Sequence, residues 1–501
     1  MRKRAARPQQ YVVLPTRGLR ATSPTSSEAL APFLVDLNAV QSFAAARSFV
    51  ASAGLEMKAN FKVLDSIHED GAKLVEMTAD TAQDLQASQP GLRIVPVVYY
   101  RPALARYEIQ GKIKAATRAV KTVVTVTSGG DSKPVRGATV VAFTDFANKA
   151  GAQGVTNAKG VVKLALGGAV KVERLYVYPK KGFWGALQKN IAIKGGIGVA
   201  LTPVSLEFTD ELRYYYGNTA DGVGAGVTVG VVDTGVGPHH DLVVAGGLNC
   251  VTGEDPDDFG DNGEGHGTHV GGIIAARGVP PQGIRGLAPG VTLRSYRVFG
   301  KGAEGASNFA IAKAIDRAAT DNCDLINLSL GGGPSDPATQ SAIQDARQQG
   351  CLVVAAAGND GRGPVSFPAA DPLCIAVSAL GRKGTFPKGS VDEGEVMGPF
   401  GTVDAREFIA AFSNVGPEVN LTGTGVGILS TVPGGYAPLS GTSMASPAVV
   451  GFAAHLLAQL PDVLAMPRNQ ARSDAIAKAL LQSAKDRGFP ATLQGKGLPL
   501  P

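Results

Sequence analysis

Residues 227–235 read Val-Thr-Val-Gly-Val-Val-Asp-Thr-Gly, an apolar run with little polar alternation that ends on a carboxylate and a turn. Strands buried on both faces have this composition, and they occur in parallel sheets covered by helices. Comparable runs follow at residues 293–298, 325–328, 352–356 and 375–379, and helix-period stretches at 307–320 and 338–349 alternate with them. This alternation predicts one large α/β domain over residues 205–490, a parallel sheet flanked by helices. In such a sheet ligands gather beyond the carboxyl ends of the strands, so the residues just after each run are the ones to read for chemistry.

Upstream the pattern changes twice. Residues 32–104 carry a strand at 33–37, a helix at 39–53, and strands at 61–67 and 73–77 about the Asp70-Gly71 turn. A short helix opened by Thr78 and a strand at 92–100 complete the unit. The order βαββαβ predicts a small ferredoxin-like α+β domain. From residue 121 the helical period disappears, and β-rich runs at 122–127, 138–143, 161–166 and 174–178 are separated by turn chemistry such as Asn157-Ala158-Lys159-Gly160. A small all-β sandwich over residues 115–200 is expected. It resembles the immunoglobulin-like or carboxypeptidase-regulatory-type modules, with a scaffold role. Trp184, the single tryptophan, is expected to pack against it.

Composition narrows the possible functions. The 501 residues are 44% hydrophobic and 18% charged, the balance of a well-cored chain. They contain no run of 18 apolar residues, so no membrane span is expected. The formal charge of +6 resides in the tail, since removing the six bases of the first twenty residues from 48 leaves as many as the 42 acids. Without a basic stripe interleaved with aromatics, nucleic acid is not an expected partner. Residues 1–31 read as a basic leader and linker. Pro8 and Pro15 interrupt any apolar segment, so a Sec signal is not supported, and a cytoplasmic location or export by a non-Sec route both fit. The four cysteines (Cys250, Cys323, Cys351, Cys374) are too few for a disulfide framework and read as buried thiols.

Four segments lie where the sheet predicts chemistry. Asp233-Thr234-Gly235 ends the first run, and Ala357-Gly358-Asn359-Asp360 follows the run at 352–356. Gly265-His266-Gly267-Thr268-His269 and Gly441-Thr442-Ser443-Met444-Ala445-Ser446-Pro447 each open an apolar helix. A serine hydroxyl is a poor nucleophile at neutral pH and needs a base. Histidine, with a pKa near the working pH, suits that role. A carboxylate then holds its tautomer and stabilises the imidazolium. An asparagine side chain offers an N–H where an oxyanion would form. A serine at a helix N-terminus places developing negative charge at the positive end of the dipole.

In the order Asp, His, Asn, Ser, these segments resemble the subtilisin (S8) family of serine proteases over about residues 205–485. Gly-Thr-Ser-Met-Ala-Ser-Pro together with His-Gly-Thr-His is a highly specific combination. The resemblance implies a serine endopeptidase that hydrolyses peptide bonds in polypeptide substrates through an acyl-enzyme. Asp233 would orient, His266 act as base and then acid, Ser443 attack, and Asn359 donate to the oxyanion beside the Ser443 N–H. The family pattern favours His266 over His269. Ser329, Leu330, Gly331 and Gly332 match the edge against which substrate adds as an extended strand, and Ser366 matches the base of the primary specificity pocket. A transpeptidase or cyclase, which hands the acyl group to an amine, would use the same triad.

No metal or organic cofactor is implied for the chemistry. The acidic run Glu254, Asp255, Asp257, Asp258, Asp261 and Glu264 reads as a solvated loop, a patch favouring basic side chains, or a calcium site. The loop at 277–285 lacks the Asn or Asp with which many relatives bind calcium, and structural calcium is without further support. The segment 381–407 reads as an inserted flap or surface loop. By the same resemblance, residues 32–104 look like the family's inhibitor-type propeptide, an intramolecular inhibitor that would make this chain an autoinhibited precursor. Cleavage is expected after Tyr100, at the end of the unit's last strand.

Overall fold

In the computed structural model, which describes residues 7–22, 30–55, 57, 60–111, 121–167, 169, 171–193 and 195–501, the run ending at Asp233 lies inside the central sheet. The strand order is Val244–Asn249, Thr292–Arg297, Thr228–Asp233, Leu325–Leu328, Leu352–Ala356, Cys374–Arg382 and Glu407–Ile409. All pairings are parallel except the last, and Val419–Thr424 adds a further parallel partner to Cys374–Arg382. Alternate residues of each strand enter opposite apolar clusters. Val229, Val231 and Val354 join Val270 and Val449 of helices His266–Ala275 and Thr442–Ala458. Val232, Ile326 and Val353 join Phe309 and Ile343 of helices Asn308–Thr320 and Pro337–Gln348. Burial on both faces is why these strands read as unbroken apolar runs. Val244–Asn249 escaped that reading because glycine weakens a strand signal. Its Gly247 is required, since a Cβ there would fall 1.8 Å from the Ser295 carbonyl.

The ferredoxin-like unit begins earlier than expected. Its antiparallel sheet has the order Phe61–Ser66, Lys73–Met77, Gln9–Leu14, Arg93–Pro96. Part of the segment assigned to the leader, residues 1–31, therefore supplies an inner strand, and residues 33–37, expected as the first strand, lie in helix Ala31–Asn38. Both corrections have one physical cause. A five-residue apolar run has no period that separates strand from helix. Pro32 suits the first turn of a helix. Val12, Val13 and Leu14, set between Pro8 and Pro15, are fully buried despite the basic surroundings. Within the expected leader and linker, residues 1–6 and 23–29 lie outside the described residues.

The sandwich consists of one sheet ordered Ala186–Ala192, Lys171–Tyr178, Thr139–Asp145, Ala150–Val155 and another ordered Ile197–Leu201, Lys121–Ser128, Val161–Ala165. Val126, Val140, Leu164, Leu175 and Val199 fill the space between them. Trp184 is not packed into this core. It lies in the connection between two strands and inserts into the C-terminal domain, its ring 5.0 Å from Phe208. The segment 381–407 includes the expected surface loop, with Met397, Phe400 and Val403 exposed. Its 3-10 turn Val391–Glu395 seats the sandwich, with Val391 N donating to Gly185 O and Leu187 N donating to Gly389 O. All four cysteines are buried and unbridged.

Candidate active site

Asp233 closes the strand Thr228–Asp233, and its fully buried Oδ1 accepts from Thr234 N at 2.6 Å and from His266 Nδ1 at 2.8 Å. His266 opens its helix immediately after the left-handed Gly265. A Cβ at Gly267 would fall 2.3 Å from the Gly235 carbonyl, so only glycine lets this helix reach the strand end. With Nδ1 donating to the carboxylate, the lone pair resides on Nε2, which is buried and has no partner among the described residues. His269, on the same helix, is held differently. Its Nε2 lies 3.0 Å from both the Ile428 and Ala437 carbonyls, and burial pushes its pKa down to about 3. A ring held neutral and directed at carbonyls is not a base.

Ser443 is the second residue of Thr442–Ala458, and its Oγ donates to the Ser329 carbonyl at 2.9 Å. Four residues on, Pro447 has no N–H for the Ser443 carbonyl. Ser329 Oγ supplies that hydrogen bond at 2.9 Å, Asn327 Nδ2 donates to Ser329 Oγ at 2.9 Å, and Ser446 Oγ donates to Asn327 Oδ1 at 2.8 Å. A buried, mutually satisfied network thus locks the helix N-terminus to the end of Leu325–Leu328. Asn359 Oδ1 accepts from Thr442 N at 3.0 Å and from Thr442 Oγ1 at 2.9 Å. The Asn359 Nδ2 donor is left buried without a partner among the described residues.

A cavity of about 620 Å³ opens here, lined by Thr234, His266, Asn359 and Ser366 and, from the other side, by Arg101 and Ala103. Tyr99–Pro102 crosses the cleft as the middle strand of an antiparallel sheet, between Ala306–Ser307 and Leu330–Gly331. Ala103 N donates to Ser329 O at 3.1 Å, Ser443 N donates to Ala103 O at 3.2 Å, and Ala105 N donates to Ser440 O at 2.9 Å. A Cβ at Gly441 would fall 2.6 Å from that Ala103 oxygen. The carbonyl at the serine thus belongs to Ala103, whereas Tyr100, where cleavage is expected from the sequence, sits away from it in a side pocket. The reason is that Arg93–Pro96 ends the N-terminal sheet and the chain then enters a second, separate strand. Past the cleft, Tyr107 packs 5.3 Å from Phe146 and 4.8 Å from Tyr176, so the sandwich holds this side of the segment.

The remaining expected site residues are distributed as follows. Leu330 and Gly331 pair with Pro102 and Arg101, and Gly332 N donates to Phe367 O at 3.1 Å. Ser366 Oγ donates to Asp360 Oδ2 at 3.3 Å and accepts from Asn414 Nδ2 at 3.0 Å. In the acidic run, Glu254 and Asp258 pair with the fully buried Arg297, and Asp258 also pairs with Lys301. Asp261 accepts from Thr268 Oγ1 and from the Gly263 and Gly265 amides. Three carboxylates of the run, Glu254, Asp258 and Asp261, are thus matched by groups of the chain itself. His239, His240 and Asp241 bring ligand atoms within 4.8 Å of one another. Even so, His239 donates to Gly435 O and accepts from Asp241 N, and Asp241 accepts from Tyr436 and Ile284 N. Sequence reasoning missed Asn327 and the orienting role of Thr442. Pro447 inside an apolar helix was the available signal, because it orphans a carbonyl that some side chain must satisfy.

A carboxylate–imidazole pair at the ends of parallel strands, with a helix-opening serine hydrogen-bonded beside an edge that accepts extended chain, fits the serine endopeptidase class. Comparison with known proteins points the same way, for the Subtilase family matches residues 224–498, and the chain belongs to that family. It is 38% identical to Subtilisin DY of Bacillus licheniformis over 259 residues, 50% of this chain and 84% of that protein. It is also 38% identical to Subtilisin Savinase of Lederbergia lenta over 233 residues, 46% of this chain and 76% of that one. Alkaline elastase YaB of Bacillus sp. (strain YaB) is 38% identical over 232 residues, 46% of this chain and 54% of that protein. This is a subtilisin-like serine endopeptidase, a class that needs no cofactor for catalysis. No described helix is long and apolar enough to cross a membrane.

Proposed function

We propose that this chain is an autoinhibited precursor that processes itself at the Ala103–Leu104 bond through Asp233, His266 and Ser443. The supporting observation is the register of residues 99–105, whose Ala103 carbonyl accepts from Ser443 N at 3.2 Å while its flanking amides pair with Ser329 O and Ser440 O. Ser443 Oγ turns from the Ser329 carbonyl to His266 Nε2, gives up its proton there, and attacks the Ala103 carbonyl carbon. Negative charge grows on the Ala103 oxygen, where the Ser443 N–H and the free Asn359 Nδ2 stabilise it. His266 returns the proton to the Leu104 nitrogen as the bond breaks, and water then releases Ala103 from the acyl-enzyme. Until the N-terminal unit departs, Tyr99–Pro102 occupies the edge that polypeptide substrates need.

The ferredoxin-like unit reinforces this blockade. Val12, Leu14, Ile67 and Leu74 share an apolar cluster with Phe309 and Ile311, and Lys313 and Asp316 pair with Asp65 and His68 at 2.8 Å. N-terminal sequencing and intact mass of the purified chain test the reading. The wild type is expected to yield a fragment beginning at Leu104, and Ser443→Ala an uncut chain. A wild type that stays intact, or whose mature form starts near residue 200, overturns it.

A further inference from the structure

Tyr100 lies three residues before Ala103, which makes it the fourth residue upstream of the proposed scissile bond. It is 1% exposed and bonded through its hydroxyl rather than merely packed. The phenol oxygen lies 2.6 Å from Asp336 Oδ2 and 2.8 Å from the Pro334 carbonyl, and its ring centroid lies 5.8 Å from that of Phe367. Two acceptors converge on one donor, and the carboxylate is the stronger of them.

Asp336 is itself 3% exposed. Its Oδ1 is committed to the fold, capping helix Pro337–Gln348 through the Ala338 and Thr339 amides and accepting from Asn308 Nδ2 at 3.2 Å. Oδ2 has no other hydrogen-bond partner than Tyr100 among the described residues. When residues 99–103 leave, that oxygen loses its donor while the helix cap holds the carboxylate in place. Oδ2 is then left facing the space the Tyr100 ring occupied beside Phe367, where an aromatic ring carrying a hydroxyl fits.

We propose that Asp336 is a specificity-determining residue, reading the hydroxyl of a tyrosine four residues before the bond that is cut in polypeptide substrates. This rests on the reading above that residues 99–105 lie in the cleft as a substrate does. Phenylalanine fills the same slot but leaves Oδ2 desolvated and unpaired. A hydrogen bond to a charged acceptor corresponds to roughly ten- to hundredfold discrimination.

The test uses the self-processed enzyme and a matched pair of quenched fluorogenic peptides, Tyr-Arg-Pro-Ala-Leu-Ala-Arg and its Phe-first counterpart, with mass spectrometry locating the cut. Cleavage at Ala-Leu with kcat/KM at least roughly tenfold higher for the Tyr peptide is the expected result. Asp336→Ser, which preserves an N-cap but cannot reach the phenol, is expected to bring the two peptides within about twofold of each other. Cleavage of both wild-type reactions at Ala-Leu with equal kcat/KM overturns the role of Asp336 alone. Cleavage at other bonds, or none at Ala-Leu, overturns the register and this inference with it. Because the wild-type ratio decides by itself, a variant that fails to fold does not protect the proposal.

Discussion

Two N-terminal units pack against the same α/β domain, and they do so by different physics. The ferredoxin-like unit presents charge as well as apolar surface, with Lys313 bonded to Asp65, His68 to Asp316, and Leu19 N to Asp345 Oδ2. The sandwich makes no ion pair with the C-terminal domain among the described residues. It inserts Trp184, 2% exposed, and joins backbone to backbone through Gly182 N to Tyr436 O, Leu187 N to Gly389 O and Val391 N to Gly185 O. Ion pairs at a partly hydrated interface weaken with salt, whereas a buried indole and main-chain bonds do not. On the reading proposed above, the first unit is built to leave and the second to stay.

The largest effect that breaks this contrast is expected at Trp184. Trp184→Ala should cost about 3–5 kcal/mol, the range for truncating a fully buried aromatic. Denaturant unfolding of the processed enzyme measures it, and a loss below about 1 kcal/mol contradicts the anchoring role.

Next in size is a pH dependence on the sandwich side. Burial, reinforced by the neighbouring Asp392 carboxylate, pushes Glu395 up to about 7 from an ordinary 4.5, with Tyr107 and Arg174 also facing it. The folded state therefore holds a proton that the unfolded chain has released. The associated stability is complete below pH 4.5 and is lost as pH rises toward 7, on the order of 3 kcal/mol in all. Melting curves from pH 4 to 8 should show that decline, and Glu395→Gln should flatten it.

The smallest effect sharpens the other half of the comparison. Lys313→Ala should weaken inhibition by the separated N-terminal fragment roughly fivefold at low salt, about 1 kcal/mol. Inhibition titrations at rising salt should erase the difference between variant and wild type. A salt-independent difference contradicts the electrostatic account.

Legibility followed the range of the interactions. The apolar runs at 325–328 and 352–356 coincide with the observed strands because burial on both faces leaves its mark residue by residue. The segments carrying Asp233, His266, Asn359 and Ser443 stood out because following a strand end or opening a helix is a local feature. Gln9–Leu14 was hidden by its basic neighbours, and its strand character depends on Lys73–Met77, more than fifty residues away. The path of residues 99–105 was equally illegible. A strand that pairs with Ala306–Ser307 and Leu330–Gly331 carries no local record of those partners.

The amino-acid order alone pointed to the α/β class, the type of chemistry and the four segments expected to carry it, since periodicity and reactive motifs are written over short stretches. Only the tertiary structure decided which carbonyl faces Ser443, that residues 9–14 form an inner strand, and that Asp336 meets the Tyr100 hydroxyl. Each of these depends on distances between elements far apart in the chain, and folding alone sets such distances.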